Sequence, residues 1–113
     1  MRESAQRYHR ERRGNCAQSV AHAWDVRNAN APETVSSFAV CGGGRAPGGL
    51  CGALHAACAL AGCEAAETIR REFAARASGL LTCREIRASQ AMSCNDCVGL
   101  AAQLLEKHAP KNR

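Results

Sequence analysis

Apolar positions recur at helical spacing along most of this chain. Ala17, Val20, Ala21 and Trp24 form one stripe, Ile69, Phe73 and Ala77 a second at spacing four, and Val98, Ala101, Ala102 and Leu105 a third. Each places its members on one face of a 3.6-residue turn. Period-two alternation appears over no useful length, so the pattern predicts no half-buried strand. The expected fold class is all-α: a small single-domain bundle of about five helices with a glycine-rich loop.

Boundary signals divide the stripes. Proline is absent from Ser4 to Arg27, but Gly14 and Asn15 interrupt that stretch, and the stronger helix begins near Cys16. Asn28, Asn30 and Pro32 mark a turn, after which Glu33–Val40 reads as a short second helix with Val35, Phe38 and Ala39 inward. Cys41–Leu50 holds five glycines and Pro47 and reads as a loop. A third helix is expected from about Cys51 to Gly62, and a charged fourth from near Glu64 to a cap at Gly79. Glu67 with Arg71 and Glu72 with Arg76 have the spacing of a solvated face. Leu80–Arg87 carries Cys83 in a turn or short helix, and Ser93 is the expected cap of a last helix over Cys94–Lys107.

Composition sharpens this outline. The 113 residues suffice for one core. Hydrophobic residues make up 46% but aromatics only 4%, so that core is built from Ala, Leu, Val and Cys, either alone or with volume supplied by a cofactor or a second subunit. The formal charge of +5 is concentrated in Arg2, Arg7, Arg10, Arg12 and Arg13, opposed locally by Glu3 and Glu11. With no stacking aromatics or nucleic-acid motif beyond that segment, they read as a solvated helix face, and no nucleic-acid partner is expected. Nothing before Gly14 resembles the apolar core of a signal peptide, so the expected location is cytoplasmic. In a reducing compartment, eight cysteines point to metal ligands or redox thiols, with the remainder as small buried hydrophobes.

The stretch from Gly42 to Cys63 is the densest in candidate chemistry. It has neither G-x-x-x-x-G-K-[ST] nor G-x-G-x-x-G after a strand, which removes nucleotide binding. Ala46–Cys63 carries no formal charge, but Pro47, Gly48, Gly49 and His55 break it, and no membrane insertion is expected. What remains is a helix entered through a glycine loop, with Cys51 at its first turn. Unpaired amides and the positive end of the helix dipole stabilise a thiolate there; a plain helix cap beside a tight crossing is the competing reading. His55 lies one turn from Cys51 and is either a hydrogen-bond partner or a structural histidine. His9, His22 and His108 have no metal-ligand spacing with one another.

Cys94-Asn-Asp-Cys97 is a C-x-x-C at a predicted helix start. Val98 stands where a c-type haem site needs histidine, a second C-x-x-C for a zinc ribbon is missing, and the βαβ setting of a thioredoxin is absent. A thiol–disulfide pair remains chemically sensible, and single cysteines elsewhere could complete a metal site. Cys58 and Cys63 read as packing residues, and Cys41 is left open.

Four ordered segments together resemble the C-GCAxxG-C-C family of small redox-active proteins: Asn15-Cys16-Ala17-Gln18-Ser19-Val20, Gly42-Gly43-Gly44 leading to Cys51-Gly52-Ala53-Leu54, Cys83-Arg84-Glu85-Ile86, and Cys94 followed by Val98 and Ala101-Ala102. The resemblance runs from about Tyr8 to His108. It divides the chain into 1–14 as a basic extension or the start of the first helix, 15–108 as the redox domain and 109–113 as a tail. Ala56 replaces the last glycine of the family motif, and the segment from Trp24 to Gly42 is short. The resemblance implies redox chemistry with Cys16, Cys51, Cys83 and Cys94 as cofactor-binding and metal-ligating residues, and through a related domain an iron–sulfur cluster, [2Fe-2S] preferred. Cys97 or Cys41 is the substitute ligand. Cysteines with 34, 31 and 10 residues between them follow no local ferredoxin spacing, so a cluster here is assembled by the fold.

Three functions follow as expectations. The first is electron transfer or redox sensing through that cluster, with a redox partner protein and a homodimer as an option. The second is thiol–disulfide exchange without metal, through Cys94, Cys97 and Cys51. The third is a structural zinc module.

Overall fold

The stripe through Val98 and Leu105 becomes the axis of the molecule. A computed structural model describes residues 1–28, 38, 49–89 and 92–108. Its helices are α1 (Arg2–Arg10), α2 (Cys16–Asn28), α3 (Gly52–Ala61), α4 (Cys63–Arg76), α5 (Cys83–Ser89) and α6 (Cys94–His108). The chain is all-α, and the described residues contain no strand, only an isolated antiparallel bridge between Leu50 and Thr82. The expected helix over Glu33–Val40, apart from buried Phe38, lies outside the described residues, as do Cys41 and the 109–113 tail.

Helix α6 is buried around most of its circumference and packs against α1, α2, α3 and α4. All three sequence stripes point inward: Ala17, Val20 and Ala21, Ile69, Phe73 and Ala77, and Val98, Ala101, Ala102 and Leu105 are fully buried. Helix α3 buries Ala53, Leu54, Ala56 and Ala57 between neighbours, as a helix that is apolar all round must. The bulk comes from a few side chains, chiefly Phe73, Leu54, Ile69 and Leu105. No helix among the described residues is long and apolar enough to cross a membrane.

Three helix starts are closed by their own side chains. Asn15 Oδ1 accepts the Gln18 amide at 2.8 Å, and Gln18 Oε1 accepts the Asn15 amide at 3.0 Å. Thr82 Oγ1 accepts from Glu85 N–H at 3.2 Å before α5. Ser93 Oγ accepts from Asp96 N–H at 3.0 Å before α6. These reciprocal pairs satisfy donors that a helix N-terminus leaves open. Gly62, with φ +94°, turns the chain between α3 and α4 in a single residue, a backbone region that side chains disfavour.

The basic N-terminal segment is an integral helix. Ala5 is fully buried, and α1 packs between α2 and α6. Gly99 permits this approach: a Cβ there would stand 2.5 Å from Gln6 Nε2 and 3.1 Å from Arg2 Nε. Arg2 Nη1 donates to Gln103 Oε1 at 2.6 Å along the same crossing.

Candidate thiol centre

Cys51 is the residue from which α3 starts. Its N–H donates to Leu81 O at 2.8 Å, beside the Leu50–Thr82 bridge, so the chain leading into α5 holds it in place. Its carbonyl accepts the His55 N–H at 2.9 Å, which begins the helix. The Cys51 sulfur is buried and accepts a hydrogen bond from the Cys97 thiol of α6. That bond is the main reason the Cys51 pKa falls below the ordinary thiol value. Burial and the nearby Cys16 oppose the fall, while the amides of Leu54 and Ala53 add to it. These amides act at the open first turn without closing a conventional side-chain cap.

Cys97 moves the other way. Giving its proton to the bond with Cys51, being buried, and facing the charge of Cys51, Cys94 and Cys16 all push its pKa well up. The first proton the pair loses is therefore that of Cys51, while Cys97 keeps its own. Cys16, the first residue of α2, is buried beside them. Cys16, Cys51, Cys94 and Cys97 line one small pocket whose apolar wall includes Ile86 and Met92.

Cys94 is the exposed member. Its Sγ stands 3.5 Å from His9 Nε2, across the α1–α6 crossing. The next residue fixes that imidazole: Asn95 Nδ2 donates to Gln6 O at 3.0 Å and lies 3.2 Å from His9 Nδ1. Because the Gln6 carbonyl can only accept, the Asn95 atom is the amide nitrogen, and its second hydrogen points at Nδ1. Nδ1 is then an acceptor and Nε2 carries the proton toward Cys94. Partial burial lowers the His9 pKa, which agrees with a neutral ring.

Among the sequence candidates, Cys16, Cys51 and Cys94 meet at this pocket, and Cys97 joins them. Cys83 opens α5, and its side chain, like that of Cys63, lies outside the described residues. Cys58 is half-buried on the α4 side of α3, its thiol donating to Ala66 O at 3.6 Å, and burial pushes its pKa up. His55 turns away to meet Phe38 edge-on at 6.0 Å and borders a groove with Cys58. His9 escapes sequence reasoning because its partner is 85 positions away; only a match between the faces of α1 and α6 could have signalled it.

Among the described residues, no three His, Cys, Asp or Glu side chains group closely enough to hold a metal ion. No protein-family model, curated protein or solved structure matches the chain.

Proposed function

We propose that this protein is a thiol redox protein in which Cys51 and Cys97 interconvert between a dithiol and a disulfide. The observation that carries this reading is the meeting of Cys51 and Cys97, both buried and their sulfurs hydrogen-bonded to one another, at one pocket beside the start of α3. A thiolate beside a thiol is the reduced form of such a pair, since the thiolate is the attacking species. Oxidation joins the two sulfurs and transfers two electrons to the disulfide of a partner. The partner's sulfurs leave as two thiols, taking up the two protons that the pair gives up. The pocket around Cys94 gives the pair its access to solvent. The resemblance carried by Cys16, Cys51, Cys83 and Cys94 points to redox chemistry as well.

The test is mild oxidation of the reduced chain with peptide mapping, together with iron, sulfide and zinc analysis of anaerobically purified protein. The expected product has lost two hydrogen atoms, contains a Cys51–Cys97 linkage and returns to the dithiol with reductant. Stoichiometric iron and sulfide would replace this reading with the cluster, and stoichiometric zinc with the structural module.

A further inference from the structure

The buried pair leaves a question of access. Cys51 and Cys97 are 5% and 3% exposed, so an incoming disulfide cannot align with either sulfur directly. Cys94 is exposed, lines the same pocket and precedes Cys97 by three residues on α6. Residues three apart on a helix are neighbours on its surface, within the range that a disulfide spans. Cys94 also has an imidazole N–H directed at its sulfur by the Asn95–His9 arrangement. These are three independent reasons to separate its role from that of Cys97.

Resting on the thiol-redox reading, we infer that Cys94 is the entry thiol of this centre, attacking a low-molecular-weight disulfide, with His9 as its positioning residue. The Cys94 thiolate attacks one sulfur of the small disulfide; that S–S bond breaks, a mixed disulfide forms on Cys94, and the first small thiolate leaves. Cys51, the more acidic of the pair and at the same pocket, releases its proton to water and attacks the Cys94 sulfur as a thiolate, expelling the second small thiolate. Cys97 then releases its proton to water and attacks the Cys51 sulfur, so the Cys51–Cys97 disulfide forms and Cys94 returns as a thiolate. In sum, two protein thiols are oxidised and one small disulfide is reduced to two thiols. Because Nε2 already carries its proton, His9 takes none. It holds the attacking sulfur by donating to it, and the exposed Cys94 lies open to a small reactant.

Oxidised glutathione serves as the probe, with intact mass and peptide mapping on the full reduced chain. In the double variant Cys51→Ser with Cys97→Ser the second step is blocked, and the adduct is expected to accumulate on Cys94. In Cys94→Ser, formation of the Cys51–Cys97 disulfide is expected to slow at least tenfold, the order of rate lost when attack must come from a less accessible thiol. His9→Phe should slow adduct formation about threefold at neutral pH, because the donor that holds the attacking sulfur is gone. His9→Gln, which restores an N–H donor, should recover most of that loss, an outcome a purely structural role would not give. Absence of an adduct on Cys94 in that double variant, or oxidation at the unsubstituted rate in Cys94→Ser, overturns the entry role while leaving the Cys51–Cys97 pair standing. A Cys94 adduct that persists in the unsubstituted chain with no internal disulfide overturns the pair instead.

Discussion

The sulfurs of Cys51 and Cys97 are hydrogen-bonded across the α3–α6 contact, which joins the first turn of one helix to the first turn of another. Their pKa values move apart for that reason. Replacing Cys97 by Ser weakens the donor, and replacing it by Ala removes it. The Cys51 thiol is therefore expected to titrate at higher pH in both variants, most in Ala, as read by thiolate absorbance or the pH dependence of alkylation.

The same pair sets a pH dependence of stability. Cys51, lowered in the folded chain, contributes stability that is present above the ordinary thiol value of 9.0 and lost as pH falls through its folded pKa. Cys97, raised, contributes stability that is present below 9.0 and lost as pH rises above it. Urea midpoints should rise toward pH 9 and fall beyond it. The double substitution Cys51→Ala with Cys97→Ala should flatten that maximum.

On the acid side, His9 and His22 act together. Burial lowers both, and Arg13 adds to the effect at His22 against a smaller opposing pull from Asp25. The unfolded chain binds these protons near 6.5 and the folded chain only at lower pH. Their contribution to stability is present above 6.5 and lost as pH falls below it. Imidazole NMR titration should place both midpoints under 6.5, and His9→Gln should reduce the acid sensitivity of unfolding.

At Gly99 the α1–α6 crossing has no room for a large side chain. Gly99→Leu is expected to cost roughly 1–3 kcal/mol, the usual penalty of overpacking, and to speed hydrogen exchange through α1. Gly99→Ala is milder, since the first atom met is the end of the flexible Gln6 side chain and alanine favours the helix.

Ser93→Ala removes the acceptor for Asp96 N–H and should destabilise the chain by about 1 kcal/mol, as should Asn15→Ala through Gln18. Chemical denaturation of each variant checks the value.

Where chemistry is local, the sequence carried it. The stripes of α2, α4 and α6, the cap at Ser93 and the placing of Cys51 at a helix start depend on spacing within a turn or two, which the chain displays directly. Asn15 reads as an interruption in sequence and acts as a cap in the fold, because an N-cap is both. Glu72 has the spacing to face Arg76, but the end of α6 brings His108 to 2.9 Å and Lys107 to 3.5 Å. An i, i+4 pattern cannot show that a second helix ends nearby. The meeting of His9 with Cys94 is less legible still: it follows from how α1 seats on α6, which no local periodicity encodes.

That seating ties the two ends of the chain to one helix. His9 reaches Cys94 only while α1 rests in the notch left by Gly99. The reactivity of an exposed thiol thus reports whether the first ten residues are docked. A protease cut or a binding event that peels α1 away would retune Cys94 without touching a single sulfur.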